Sequence, residues 1–533
     1  MRTPCDETVM RSAGAEVPCN PDARLWILTA TILGSSLAFI DGTVVNVALP
    51  AVQANFHATV VDVQWVVESY GLFLGALILV GGSLGDLFGR RLIFVIGVAI
   101  FAVASAGCGA ASNIHLLIIA RSVQGVGAAL LVPGSLAIIS SSFDERSRGQ
   151  AIGTWSGFTA ITTAIGPVLG GWLVEHASWR WVFFINLPLA VAVIAISAWR
   201  IPESRSATAG RIDWFGALVA TAGLGGLIVG FIESVNLGWR SPLVFGSLLV
   251  GFGCLVAFVL VETSVNSPML PLTLFKSRSF SGANLLTLFL YAAIGIFFFL
   301  FPLNLIQVQR YSATAAGAAI LPLILLIFLL SRWSGGLVAR HGSRGPLMIG
   351  PLIAALGFGL FAVPSVGDSY WKAFFPAIIV LGFGMAVTVA PLTTSVMNSV
   401  NEDRVGAASG INNAVARVAG VVAIAVFGIV MVKAFGFRLN HSLAHFSLPP
   451  GVLQELRAGE TKLAGLQVPM GLDPSMKATI TQSIGEAFVF GYRIVMLICA
   501  GLALASAAVA WLFDESVLKL VGAPSAPRPA KRM

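Results

Sequence analysis

The sequence predicts an all-α polytopic membrane protein, and three observations lead to this prediction. Only 11% of the 533 residues are charged and 57% are hydrophobic, which gives a mean hydropathy of +0.89. A soluble domain carries about 25% charged residues, so this chain has too few of them to cover an aqueous surface. About fourteen apolar stretches also have the length, about 20 residues, that crosses a hydrocarbon core of about 30 Å.

The apolar stretches follow one another along the chain between short polar connections. Residues 1–24 are polar and lack the apolar core of a signal peptide, so we predict a cytoplasmic N-terminal tail there; residues 514–533 form a second cytoplasmic tail. The predicted helices centre on residues 26–49, 64–84, 92–111, 114–137, 151–173, 181–199, 213–232, 242–261, 280–303, 316–338, 346–364, 371–396, 407–432 and 488–512.

The distribution of Lys and Arg predicts the orientation of these helices. Cytoplasmic loops of membrane proteins carry an excess of both residues, and placing both termini in the cytoplasm assigns most of them, Arg90 and Arg91 among them, to that side. The asymmetry explains the net charge of +8 without a nucleic-acid partner, and we predict a multi-pass protein of the plasma (bacterial inner) membrane. The short outer loops then hold only Arg180, Arg240, Arg310 and Lys372.

Internal repetition predicts the domain organisation. Residues 81–91 resemble residues 335–344, and residues 145–151 resemble residues 402–408, at offsets of about 253 to 257. Because transporters are commonly built from repeated halves, we predict two six-helix bundles plus two inserted helices. The predicted parts are an N-terminal bundle (25–200), a cytoplasmic linker (201–212), an inserted helix pair (213–262) and a C-terminal bundle (263–513) with a non-helical outer loop at about 433–487.

Two ionisable residues lie deep within predicted helices. Such residues are costly in a membrane and are functional candidates by default. At a rise of about 1.5 Å per residue, Asp41 and Arg121 reach similar depths and are predicted to meet. Burial raises the pKa of a carboxylic acid and a nearby guanidinium lowers it, so such a pair suits a proton switch. A static ion pair that fixes helix packing is the alternative.

Other charged residues extend the list of candidates. Glu68, near the outer start of the second predicted helix, is a second candidate for proton coupling; alternatively it reaches interfacial water. Arg417 lies near the middle of the thirteenth predicted helix, where it attracts anionic groups or pairs with an acid. The five cysteines are scattered, and His441 and His445 have no third ligand nearby, so we predict no metal site.

Several short motifs now point to a known family. Residues 82–91 resemble the loop signature between helices 2 and 3 of the major facilitator superfamily, residues 116–129 its helix 4 signature, and residues 166–171 the signature of its antiporters. The segment around Asp41 and residues 179–188 and 213–216 resemble further motifs of this superfamily. On all these motifs, the chain resembles the fourteen-helix drug:H+ antiporter family, the EmrB/QacA type. In that branch Thr or Ser often stands where this chain has Glu68.

The resemblance implies a major facilitator fold and a role for each motif. It implies that Asp41 or Glu68, with Arg121, couples transport to protons. Asp86 is expected to hold a charge network that favours one arrangement of the two bundles, and the glycines of the fifth helix are expected to form a sliding surface. The residues expected to control conformation are Gly82, Asp86, Gly89, Arg90, Arg91, Gly166, Pro167, Gly170 and Gly171.

The function that follows is a proton-coupled efflux antiporter for drugs or other amphipathic small molecules. No G-x-x-x-x-G-K-S/T phosphate loop occurs, so we expect no cofactor, no enzymatic activity and a proton gradient as the energy source. A proton symporter for uptake, and a dedicated exporter of one metabolite, lipid or siderophore, are the alternatives, and a periplasmic adaptor remains an open partner. The expected substrate-binding residues are Asn46, Tyr70, Gln124, Trp155, Asn412, Asn413 and Arg417.

Overall fold

The computed structural model describes residues 21–143, 145–205, 213–265, 268, 270–400, 405–446, 448–469 and 472–510. Most of both predicted tails, 1–24 and 514–533, and residues 206–212 of the predicted linker lie outside the described residues. The long helices are α1 (Pro21–Phe56), α2 (Val60–Phe88), α3 (Arg90–Ala110), α4 (Ile114–Ser142), α5 (Glu145–His176), α6 (Trp181–Phe184 and Asn186–Arg200), α7 (Trp214–Leu237), α8 (Pro242–Ser264), α9 (Arg278–Leu303), α10 (Ala313–Ala318 and Leu321–His341), α11 (Arg344–Phe361), α12 (Phe375–Asn398), α13 (Val405–Leu443) and α14 (Pro474–Val509).

These helices confirm the predicted fold class. Thirteen of the described helices are long and apolar enough to cross a membrane. The remaining long helix, α5, has 32 residues and packs along α1. Its sequence is richer in Gly, Ser and Thr than its neighbours, and such small residues allow helices to approach closely within a membrane.

Local sequence signals explain where several helices begin and end. Thr59 and Asp62 form a capping box at the start of α2, and the Asn113 side chain accepts a hydrogen bond from the Leu116 amide at the start of α4. Gly89 separates α2 from α3 with a φ of 125°, a conformation that favours glycine. The reversal between α2 and α3 is therefore fixed by one residue.

The helices pack in two groups with a peripheral pair. α2 packs along α4, α4 along α3, and α1 along α5 and α6. In the other group α9 packs along α13 and α14, α11 along α12 and α14, and α10 along α12. α7 and α8 pack on each other, and α7 also contacts α2 and α13. Only 11% of the most apolar window of α8 is buried, so this helix presents most of its apolar surface outward.

The predicted non-helical loop at 433–487 is wrong for most of its length. α13 continues to Leu443 and α14 begins at Pro474, and between them lie a short helix (Pro450–Ala458) and a 3-10 turn (Glu460–Gly465). With 39 residues and about 1.5 Å per residue, α13 is roughly 58 Å long. It therefore extends beyond the hydrocarbon core, where polar residues end the hydropathy signal without ending the helix.

The two ends of the bundle differ in how the halves meet. We call the end with the α2–α3 turn the near end and the opposite end the far end. At the far end Gln53 of α1 donates to the Lys462 carbonyl at 3.1 Å, and Gln307, after α9, donates to the Gln53 side chain at 2.8 Å. The Thr314 hydroxyl donates to the Glu175 carboxylate in the same region. These contacts join the two halves at the far end.

Candidate functional site

A buried ion pair lies at the centre of the N-terminal half. The Asp41 carboxylate of α1 accepts a hydrogen bond from Arg121 Nη1 of α4 at 2.5 Å, and neither side chain is more than 2% exposed. The predicted meeting of these two residues at one depth is confirmed. Because a charge without a partner is costly in this environment, each residue fixes the position of the other.

Three neutral side chains complete the surroundings of the Asp41 carboxylate. Gln124 Nε2 donates to Asp41 Oδ1 at 2.9 Å, and Arg121 Nη1 donates to Gln124 Oε1 at 2.7 Å. Asn186 of α6 donates to the Ser105 hydroxyl of α3 at 3.0 Å and lies 3.4 Å from Asp41 Oδ1. We call Asp41, Ser105, Arg121, Gln124 and Asn186 the polar cage.

α2 closes the remaining side of the polar cage. Arg121 Nε donates to the Val66 carbonyl at 3.1 Å, and the guanidinium carbon lies 4.2 Å from the centre of the Tyr70 ring. A guanidinium over an aromatic face is stabilised by the negative potential of the ring. The site therefore combines contributions from α1, α2, α3, α4 and α6, all within the N-terminal half.

Glu68 has the opposite environment. Its side chain is 0% exposed, and neither carboxyl oxygen has a hydrogen-bond partner among the described residues. The alternative of a shallow acid that reaches interfacial water is wrong in this conformation. Asp41 and Glu68 thus differ in their surroundings: the first is enclosed by hydrogen-bond donors, and the second has none among the described residues.

The residues predicted to control conformation separate into two locations. At the near end, Arg90 donates to Asp86 through Nε and Nη2 at 2.9 and 2.8 Å, and Arg91 donates to the Ile201 carbonyl at 3.0 Å. Glu203 accepts the amide hydrogens of Arg91 and Leu92 at the start of α3. Gly82 lies nearby against Pro133, with room for a Cβ. The charge network therefore joins the α2–α3 turn to the segment after α6, within the N-terminal half.

The glycines of α5 face two different partners. Gly166 and Gly170 pack against Thr43 and Val44 of α1, in the same half. Gly171 packs against the Ala313 backbone of α10, and Gly317 of α10 packs against the carbonyl of Pro167, with no room for a Cβ at either glycine. α5 therefore contacts both halves, as a surface that slides between conformations requires.

The predicted substrate-binding residues differ in accessibility. Three of them are tied into the N-terminal half: Tyr70 stacks on Arg121, Gln124 belongs to the polar cage, and Trp155 donates to Ser35 at 3.0 Å. Asn412 donates to Thr287 at 2.7 Å and to Asn284 at 3.2 Å.

The other three remain accessible. Asn413 is exposed, and Asn46 and Arg417 are half-buried. Arg417 makes no hydrogen bond or ion pair with the residues described, and it contacts Gly75 across the two halves.

Sequence reasoning missed three polar residues of these sites. Ser105 and Asn186 belong to the polar cage, but single Ser and Asn residues are common in membrane helices and carry no spacing signal. Asn186 directly precedes Leu187 and Pro188 in a motif that was already noted, which was the available clue. Glu203 stands in a polar connection, where an acid is unremarkable until its partner at the start of α3 is known.

The described side chains include no group of three or more His, Cys, Asp or Glu residues placed to hold a metal ion. His441 and His445 lie with their ring centres 5.4 Å apart and perpendicular to each other. The arrangement is an edge-to-face contact between two rings.

Comparison with known families and proteins gives consistent results. The model of the Major Facilitator Superfamily matches residues 31–215 and again residues 210–424. The chain is 31% identical over 498 residues to the tetracenomycin C resistance and export protein of Streptomyces glaucescens, which covers 91% of each chain. It is 34% identical over 415 residues to the multidrug resistance protein Stp of Mycobacterium tuberculosis, 76% of each chain. It is also 31% identical to the methylenomycin A resistance protein of Bacillus subtilis, over 79% of this chain and 91% of that one.

Solved structures show the same fold. A bacterial homologue of the human lysosomal transporter Spinster, in an inward-facing and unoccupied conformation, superposes with a TM-score of 0.64 at 16% identity, covering 92% of this chain and 98% of that one. The peptide transporter PepTSo superposes with a TM-score of 0.61 at 14% identity, over 94% and 99% of the two chains. At these identities the likeness concerns the fold.

Proposed function

The chain belongs to the Major Facilitator Superfamily, among its drug-efflux members, and we propose that it exports amphipathic organic molecules in exchange for protons. Its relatives carry names of antibiotic resistance and export proteins, which favours export over uptake. Relatives named for a single antibiotic and a relative named for multidrug resistance are similarly identical to this chain, so the test below uses a panel of compounds.

The observation that carries the proton-coupling part of the proposal is the Asp41–Arg121 pair. A carboxylate enclosed by Arg121 and Gln124 is stabilised in its ionised form. Moving Arg121 away would remove that stabilisation, and the carboxylate would then bind a proton. Since α4 also contacts α2, which packs against the C-terminal half, a relative movement of the halves can be transmitted to this pair.

The proposed orientation places the near end in the cytoplasm of a bacterial cell, with both termini on that side. Arg90 and Arg91 lie at the near end, and cytoplasmic loops carry the excess of Lys and Arg. The far-end contacts then close the protein toward the outside. Substrate would enter from the cytoplasm or the inner leaflet and bind between the halves.

The function is tested in an efflux-deficient bacterial host that produces the full-length chain. A panel of antibiotics, dyes and other amphipathic compounds is scored for growth, and accumulation of each protected compound is measured with and without a protonophore. The proposal expects lower accumulation that returns to the control level when the proton gradient collapses. Accumulation that rises on expression, or that ignores the protonophore, would contradict it.

The position of Arg417 leads to a prediction about substrate recognition. Its guanidinium is half-buried at the boundary of the halves, one helical turn after the exposed Asn413, with no acid paired to it among the residues described. A hydrogen bond to a charged group contributes about 1.5–3 kcal/mol, and about 1.4 kcal/mol corresponds to tenfold in affinity. Arg417→Gln is therefore expected to weaken the apparent affinity for an acid-bearing substrate by about tenfold or more.

The measurement compares a carboxylate-bearing substrate with its methyl ester in transport assays on the same vesicles. The ester should lose less than threefold in the Arg417→Gln variant, since it offers no anion to the guanidinium. Equal losses for acid and ester would show that Arg417 acts through packing and not through charge.

A further inference from the structure

α2 and α13 pack along each other at the boundary between the two halves, and the way their residues pair shows what lies opposite Glu68. A Cβ at Gly71 would meet Val421, one at Gly75 would meet Arg417, and one at Gly428 would meet Gln64. In each of these three pairs the two residue numbers add up to 492, as expected for antiparallel helices. We call this boundary the seam.

Glu68 lies within the seam. On α2 the residues that face α13 are 64, 71 and 75, and position 68 belongs to the same face because residues three and four apart share one side of a helix. The register places Glu68 opposite residue 424. Ile424 is 5% exposed and its carbonyl accepts a hydrogen bond from Gln64 at 2.9 Å, so its oxygen already has a partner.

The seam offers an ionised Glu68 nothing that would replace water. Its side chain is 0% exposed, its two oxygens have no partner among the described residues, and Val421 and Ile424 are apolar. A buried charge without a partner is strongly disfavoured, and such a group becomes neutral instead. The closed seam therefore requires the protonated form of this side chain.

None of the described charged and titratable groups on elements packed against α2 makes a hydrogen bond to Glu68. Asp41 and Arg121 bind each other, Glu233 accepts from Trp65 at 2.9 Å, and Glu460 accepts from Asn440. Arg417 lies seven residues from position 424 along α13, about 10 Å at the α-helical rise. The remaining groups near the seam are Asp62, Tyr70, Lys433 and Lys462.

We propose that Glu68 is a proton-binding site that makes closure of the far end consume one proton. When the seam separates, water reaches the carboxyl group and it ionises; when the seam closes, the group must take up a proton again. On the proposed function, with the far end outside, that proton comes from the outer side of the membrane. Asp41 remains the proton carrier, and Glu68 makes the return to the far-closed conformation dependent on outside pH.

The test measures far-end closure directly, without substrate or gradient. Ala54 of α1 and Gln467 after the 3-10 turn are exposed on opposite halves and line one far-end cavity of about 610 Å³. Spin labels on Ala54→Cys and Gln467→Cys, in full-length protein in lipid nanodiscs, report closed and open populations by pulsed electron resonance as pH varies. Cys254, which is half-buried, and Cys5 and Cys19 are replaced by Ser.

If closure takes up one proton, the ratio of closed to open protein should fall about tenfold per pH unit. This slope applies above the pH at which the ratio has dropped to half of its low-pH value. Glu68→Gln cannot ionise and is expected to stay closed, with the ratio changing less than twofold over the same range. The matched control is Glu233→Gln, a neutralised acid on the adjacent α7, which is expected to keep the wild-type slope. A wild-type slope in Glu68→Gln, or no slope in the wild type, would overturn the proposal.

A second variant covers the case in which Glu68→Gln does not fold. Glu68→Asp keeps a titratable group in the seam and is expected to retain the tenfold slope with a shifted midpoint. The infrared band of a protonated carboxyl group, measured on the wild type, should lose half of its intensity at the pH at which half of the protein has opened at the far end. Loss of the band at a different pH would count against the proposal. Because neither readout uses transport, pH-linked closure without export contradicts the proposed function alone, and proton-driven export without pH-linked closure contradicts this inference alone.

Discussion

Replacing Asp41 by Asn is expected to reduce proton-linked export to the background level while the protein remains folded. Asn keeps the shape of the side chain and one oxygen that can accept from Arg121, while its amide group replaces the oxygen that accepts from Gln124, so Gln124 has to turn its own amide for the polar cage to persist. The Asn side chain cannot bind or release a proton. Export is measured as substrate-induced proton movement in proteoliposomes, with thermal unfolding as the measure of folding.

Two further variants separate a proton switch from a static ion pair. Asp41→Ala removes the acceptor oxygens as well as the charge, so Arg121 is left buried with neither an ion-pair partner nor a replacement acceptor; this variant is expected to cost about 3–5 kcal/mol of stability, more than Asp41→Asn does. The double variant Asp41→Asn with Arg121→Gln removes both charges and is expected to recover most of that stability. If the double variant also recovered proton-coupled export, the pair would have only a packing role. Undiminished proton movement in Asp41→Asn would exclude Asp41 as an essential carrier.

Replacing Gly317 by Val is expected to abolish export by a different route, because it prevents far-end closure. A Cβ at Gly317 would overlap the carbonyl of Pro167, which is backbone and cannot rotate away. The contact joins α10 to α5, so the two helices would have to move apart at the far end. We expect transport to fall by at least about a hundredfold, because the transport cycle requires the far-closed conformation. Each half should remain folded.

The same helix supplies the control for this variant. Among the described residues, no atom lies within 4 Å of the position that a Cβ at Gly336 in α10 would occupy. Gly336→Val should therefore retain transport within about threefold, although it makes the same chemical change. The spin-label pair described above gives the direct readout, and Gly317→Val should remain open at the far end. Normal closure in Gly317→Val would show that α5 and α10 can accommodate the added atoms.

Hydropathy and the depth of residues within predicted helices were enough to predict the fold class and the meeting of Asp41 with Arg121. The fold class followed from apolar length alone, since only helices satisfy their backbone groups within each apolar segment. The meeting of Asp41 and Arg121 followed from the constant rise of the helix. Neither step required knowledge of how the helices pack.

The features that sequence reasoning missed depend on packing between distant segments. Ser105 and Asn186 become part of the site only because α3 and α6 meet beside α4, and no local pattern marks that meeting. The isolation of Glu68 is likewise a property of the α2–α13 seam. The ends of α13 and α14 were misplaced because a helix can leave the membrane without a break in its hydrogen bonding.

The unbroken length of α13 has a mechanical consequence. From Val421 in the seam to Leu443 the helix continues for 22 residues, roughly 33 Å at about 1.5 Å per residue. Treated as a stiff rod, it acts as a lever, and a tilt of about 10° at the seam displaces its tip by about 6 Å. Gly436, 15 residues beyond Val421 and packed against Glu460 of the 3-10 turn, would move by about 4 Å, which is more than the 3.1 Å hydrogen bond between Gln53 and the Lys462 carbonyl can tolerate. A small separation beside Glu68 is thereby amplified into release of the far-end contacts.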